Sequence, residues 1–221
     1  MTKESVIQSV PGEAAPPARR RRKEARPAEI IEAGMQEFAL RGFAGTRLED
    51  VARRAGIAKG TIYLYFRDKE SLFMAAVQEK VVPAIGEIAG FVDSFPGPTR
   101  ELLKLVIPVL HQRLVQSDLH TILRILIGEG SHFPGLTALY YRETVLRGRE
   151  LLERIVARGR ARGEIRDGAA ADLPLVIMAP AIMSAIWQMT FTREAPIPPE
   201  QFLAAHLDLI TEGLLLPEPG R

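Results

Sequence analysis

The feature that most constrains this chain is the spacing of its apolar residues. They recur at helical intervals from Pro27 to Leu216, and no segment alternates apolar and polar as a half-buried strand would. That pattern predicts an all-α fold of about nine helices. The first is expected from Pro27 to about Leu40, with Ile30, Ile31, Phe38 and Ala39 inward, Pro27 in the first turn and Gly42 at the stop. Thr46-Arg47-Leu48-Glu49 reads as a capping box opening a second helix, whose inner face is Leu48, Val51, Ala52 and Ala55. A Gly56-Ile57-Ala58 turn leads to a short third helix from Lys59 to about Phe66. Asp68 is placed to cap a long fourth helix reaching Val92 with a kink at Pro83. Further helices are expected at 99–116, 119–129, 136–162, 172–191 and 199–216, between loops rich in Pro and Gly.

The net charge of +2 hides an asymmetry. Residues 1–67 carry thirteen Lys/Arg against eight Asp/Glu, and residues 68–221 carry sixteen against nineteen. A basic front end followed by an acidic remainder points to a polyanionic partner for the front end alone. Residues 1–26 read as a flexible basic tail. Its Arg19-Arg20-Arg21-Arg22-Lys23 run suits either a phosphate-seeking arm or a solvated charge cluster, and no apolar segment follows to make an export signal. With no cysteine there is no disulfide framework, thiolate metal site or cysteine nucleophile. The absence of asparagine removes N-glycosylation acceptors and one common adenine-reading side chain. The uncharged stretch Leu173 to Thr192 is long enough to suggest a membrane span, but Pro174, Pro180, Ser184 and Gln188 interrupt it. A helix buried in a core or between subunits is the expectation, with no membrane partner.

Two short helices around a glycine turn form a helix-turn-helix signature, in which the start of the second helix enters the DNA major groove. Lys59, Gly60 and Thr61 stand there: a cation, a residue that permits close backbone approach, and a hydroxyl beside a methyl. The run from Gly42 to Phe66, GFAGTRLEDVARRAGIAKGTIYLYF, resembles the DNA-binding domain of the TetR/AcrR family of bacterial transcriptional regulators, over roughly residues 27–75. The resemblance implies DNA contacts at Thr46, Lys59, Thr61, Tyr63, Tyr65 and Lys69, with Arg47 alongside. Two positions depart from the pattern: Ala58 replaces a capping serine or threonine, and Leu64 replaces a residue that is often polar.

The resemblance also implies an organisation: a helix-turn-helix domain over 27–67, and an effector-binding and dimerisation domain over 68–221. Homodimerisation is expected through the uncharged helix and the last one, with Ile186, Met189, Phe202, His206, Leu209, Ile210 and Gly213 as interface candidates. Phe91, His111, Phe133, Tyr140, Met178, Met183 and Trp187 supply the apolar and aromatic lining of a pocket for a small hydrophobic or aromatic effector. Glu129 and His132, three apart, could ligate a metal with His111 or His120 but read better as a hydrogen-bonded pair, so no metal or other cofactor is expected.

An enzyme is disfavoured, because the chain has no G-x-S-x-G elbow, P-loop, dinucleotide glycine fingerprint or H-E-x-x-H. The expected function is that of a homodimeric, cytoplasmic repressor. It would bind a palindromic double-stranded operator and be released by its effector, with activation in place of repression left open by the sequence.

Overall fold

The structure is a computed structural model that describes residues 18–217. It is all-α. The helices are α1 (Ala18–Gly45), α2 (Leu48–Arg54), α3 (Lys59–Ile62), α4 (Lys69–Lys80), α5 (Val82–Ser94), α6 (Thr99–Gln116), α7 (Asp118–Glu129), α8 (Pro134–Tyr140), α9 (Leu146–Ala161), α10 (Ala169–Asp172), α11 (Ala179–Thr190) and α12 (Pro199–Gly213). Short 3₁₀ turns follow α7 and precede α11, and one π turn, Tyr141–Val145, joins α8 to α9. The extended pairing among the described residues is an isolated bridge between Ile165 and Leu215.

Several boundaries differ from the sequence expectation, each for a local reason. α1 runs back through Pro27 to Ala18, so residues 18–26 are helical where a flexible tail is expected. Ala18 to Arg26 contains only strong helix formers (Ala, Arg, Lys and Glu), which offsets the one hydrogen bond Pro27 cannot donate. The part of the tail before Ala18 lies outside the described residues. Gly42, with φ +71, breaks α1 where the sequence places its stop, and residues 43–45 form a short separate turn beyond the break. The expected capping box at Thr46 does not form. Arg47 is the N-cap of α2 and makes no side-chain cap bond. Thr46 instead donates its hydroxyl to the Gly42 carbonyl at 2.7 Å, a group freed by the break in α1. Gly56, with φ +64, ends α2, and the Ile57 N–H closes back onto the Ala52 carbonyl at 2.9 Å. α3 is a single turn, and Ala58 leaves it without a side-chain cap, as the sequence indicates. Asp68 caps α4 by accepting the Ser71 N–H at 2.7 Å, and that bond holds its carboxyl below the usual range. The long fourth helix divides at Val81, where Pro83 enters the first turn of α5.

Two main cores result. The first gathers Ile30, Phe38, Phe43, Leu48, Val51, Ile62, Leu72 and Phe73 from α1 to α4, and it also takes in Ile122 and Ile125 of α7 and Leu136 of α8. The second unites α5, α6, α9, the turn before α11 and the end of α12 around Leu102, Leu103, Ile107, Ile155 and Ile210. Charge fixes α2 on α1: buried Glu37 of α1 pairs with Arg54 of α2 at 2.7 Å, and within α1 with Arg41 at 2.9 Å.

Buried His111 of α6 and His206 of α12 face each other, with Nε2 and Nδ1 2.9 Å apart. Burial, reinforced by the neighbouring His111, pulls His206 down to about 4, and burial lowers His111 as well. Between about pH 6.5, where a solvated histidine titrates, and pH 4, the unfolded chain therefore binds more protons than the folded one. Stability is lost as pH falls through that window. Denaturant unfolding at pH 7 and pH 5 should show a lower midpoint at pH 5, and the difference should shrink in His206→Gln.

Candidate nucleic-acid interface and ligand cavity

The turn of α3 is anchored from below by Ile62, which is fully buried, and by Phe66 just beyond it. Its outer side presents the exposed residues Lys59, Gly60, Tyr63 and Leu64, with Leu64 82% exposed, and the half-buried Thr61 and Tyr65. A Cβ placed on Gly60 would meet nothing within 4 Å, so the backbone there is open to close approach from outside. Arg47 is exposed at the start of α2.

One carboxylate organises this surface. Glu49 of α2 pairs with Lys59 Nζ at 3.0 Å and accepts the Tyr63 hydroxyl at 3.1 Å, pinning both ends of α3. Its own backbone N–H, then Lys59 and Tyr63, hold Glu49 down at about 2, and the same contacts raise Lys59 and Tyr63. The arrangement offers one cation, several hydroxyls and one exposed apolar side chain along α3 and the turn after it, chemistry that suits phosphates and base edges in a groove.

Thr46 and Lys69 sit differently. Thr46 is buried, and Lys69 Nζ donates to the Phe43 and Ala44 carbonyls at 2.8 and 3.0 Å while lying over the Phe43 and Phe133 rings. Both hold the end of α1 at and beyond the Gly42 break, the loop of residues 42–45. The two N–H groups of that loop are taken from the other side: Glu129, at the end of α7, accepts from Phe43 N at 2.8 Å and Ala44 N at 2.6 Å. Arg124, one turn earlier on α7, donates to the Phe38 and Ala39 carbonyls. Gly42 is required here twice over, by its positive φ and because a Cβ would lie 2.5 Å from Glu129 Oε1. The expected Glu129–His132 pair does not form: His132 is exposed beside Ser131, and Glu129 has turned to the loop. Among the described residues no group of three His, Asp or Glu is placed to hold a metal.

A cavity of about 250 Å³ lies between the Val81 break, α6, α7, the π turn, α9 and α11. Of the seven residues expected to line a pocket, Tyr140 and Met178 do so. The other five are elsewhere. Phe91 is exposed against Phe95, His111 is paired with His206, and Phe133 packs edge-on to Phe43. Met183 is exposed, and Trp187 donates to the Ala195 carbonyl beside Phe191 and Phe202. Selecting aromatics missed a wall made mainly of Leu, Ile and Val, residues indistinguishable in sequence from ordinary core.

The residues expected at a subunit interface divide in the same way. His206 and Ile210 face the interior of the chain, in the histidine pair and the second core. Leu209 and Gly213 are exposed, while Ile186, Met189 and Phe202 are half-buried. No described helix is long and apolar enough to cross a membrane, and the uncharged stretch folds as a 3₁₀ turn, Pro174–Met178, followed by α11.

Residues 30–76 match the family model described as bacterial regulatory proteins of the tetR family, and residues 97–210 match the tetracyclin repressor-like C-terminal domain. The chain belongs to the TetR family. Its relatives are transcriptional regulators, not enzymes. The fatty acid metabolism regulator protein of Bacillus subtilis is 38% identical over 53 residues, which cover 24% of this chain and 27% of the relative. The regulator AcrR of Shigella flexneri is 29% identical over 99 residues, 44% of this chain and 46% of that one. Matches to the curated relatives thus span from about a quarter to about half of their lengths. FadR of Bacillus subtilis in complex with stearoyl-CoA superposes with a TM-score of 0.70 at 23% identity, covering 84% of this TetR-family chain and 98% of that one. A transcriptional regulator of Saccharomonospora viridis in complex with choline superposes with 0.72 at 21%, covering 88% and 100%.

The loop clamp has a measurable consequence. Glu129→Ala leaves two backbone N–H groups without their acceptor and should cost about 1–3 kcal/mol. Gly42→Ala should cost about as much, through strain at positive φ and the clash with Glu129. Because both act on one contact, the double variant should lose less than the two single losses added, as read from denaturant midpoints.

Proposed function

We propose that this TetR-family regulator works in the cytoplasm as a homodimeric repressor. It binds a palindromic operator through α3 and the flanking residues Arg47, Tyr63, Leu64 and Tyr65, and it lets go when a small, mainly apolar effector fills the cavity. Residues 27–67 would form the DNA-binding part and 68–221 the effector and dimer part. The observation that carries the reading is that α7 belongs to both parts. Leu119 and Leu123 line the cavity, and on the same helix Arg124 and Glu129 hold the end of α1. A ligand pressing on the first pair displaces the second, and with it the frame on which α3 sits.

Supporting observations come from each part. Lys59, Gly60 and Leu64 are exposed along α3 and the turn that follows it. On α12, Ala205, Leu209 and Gly213 form an exposed stripe of apolar and small residues, and Met183 is exposed on the adjoining α11, a surface suited to a two-fold partner. The complexes of two fold relatives with stearoyl-CoA and choline support a small-molecule effector here as well. Thr46 and Lys69 enter as residues that shape the interface by holding the loop of residues 42–45. A coupling of about 1–3 kcal/mol between cavity and operator suffices for regulation.

Selection from a random duplex library should return a palindrome with half-sites one turn apart. In binding measurements across salt concentrations, Lys59→Ala should weaken all duplexes and lower the salt slope by about 1. Glu49→Gln should do the reverse for non-specific DNA, since it releases Lys59 from its internal partner. Unchanged binding in Lys59→Ala would overturn the docking of α3.

A further inference from the structure

The cavity wall is chemically lopsided. Thirteen of its seventeen lining residues are Val, Leu, Ile or Met, and it holds a single aromatic ring. Its polar members, Tyr140, Thr144 and Arg149, all come from one stretch of chain that crosses the π turn Tyr141–Val145. Thr144 is 7% exposed, and its hydroxyl has no hydrogen-bond partner, a costly arrangement for a buried polar group that nothing satisfies. Burial pushes the Tyr140 phenol up to about 12, so it stays an O–H donor at neutral pH. Arg149 lines the cavity from a half-exposed position, paired with Glu153 at 3.2 Å. The three side chains are donors or a cation, and no carboxylate lines the wall. A quaternary ammonium needs an aromatic cage or an anion, and this cavity has neither. An aromatic hydrocarbon would leave the Thr144 hydroxyl without a partner.

Building on the effector reading above, we infer that the cavity takes a saturated acyl chain of medium length, its tail against the Leu, Ile and Val wall and its carbonyl or carboxylate oxygen accepting from Thr144 and Tyr140, with Arg149 at the head. At roughly 30 Å³ per small group, the volume has room for about eight methylene-sized units. The free carboxylate and the acyl thioester share this chemistry. The thioester would leave its carrier outside the mouth.

The test is calorimetric titration of lipid-stripped, full-length protein with carboxylates of six to sixteen carbons, with decanoyl-CoA, with decyltrimethylammonium and with naphthalene. Operator binding is measured in parallel. The expected result is an optimum at eight to ten carbons for the carboxylate or the thioester, the tighter of the two naming the source. Thr144→Val and Arg149→Met should each weaken it by about 3- to 10-fold without lowering the melting temperature of the ligand-free protein. The proposal is overturned if the cation or the aromatic binds tighter, if affinity shows no chain-length optimum, or if both variants bind as the parent does. Acyl binding that leaves operator affinity unchanged would support the ligand class and defeat the regulatory reading. Release of the operator by naphthalene, with no acyl binding, would do the opposite.

Discussion

The structure turns on four backbone groups at the end of α1, just beyond the Gly42 break. The N–H groups of Phe43 and Ala44 go to Glu129, and their carbonyls go to Lys69. Loops ordinarily leave such groups to water. Here they are claimed from two directions, by a carboxylate from α7 and an ammonium from α4, and Gly42 has to be glycine for the carboxylate to reach them. The contact joins two regions that the charge distribution along the chain would separate near Arg67. The first core confirms the joint, since Ile122 and Ile125 are packed with Phe38 and Phe73 in one continuous cluster. Helices α1 to α4 therefore do not hang from a linker but rest on α7.

Much of this was legible in sequence wherever the controlling interaction is local. The all-α class, the stops at Gly42 and Gly56 and the Asp68 cap follow from residues within a few positions of one another. The failures share a cause. Thr46 is a good capping residue by type, yet its hydroxyl went to Gly42 because the break in α1 left an acceptor closer at hand. By spacing Glu129 pairs with His132 three residues away, while its partners lie more than eighty residues back in the chain. His206 stands at a spacing that suits an exposed helix face, but His111 meets it inside the chain's own fold. Local spacing carries no information about which distant group arrives first.

The cavity shows the same limit in another form. Its aliphatic wall is built of residues that elsewhere in the molecule simply fill space, and only the missing neighbours make it a cavity. What distinguishes it is the unpartnered Thr144 hydroxyl at a π turn, a backbone irregularity found often at functional sites. No propensity predicts that turn.

α3 spans only Lys59 to Ile62 and has no side-chain cap, too short to persist as a helix by itself. Its shape is borrowed from Glu49, which grips it at Lys59 and Tyr63, and from the core beneath Ile62. In the proposed docking of α3, the reading head is thus not a transplantable module. Grafting residues 59–65 onto another helix-turn-helix scaffold would carry over the letters without the posture, and a change of operator preference would have to be sought in α2 as much as in α3.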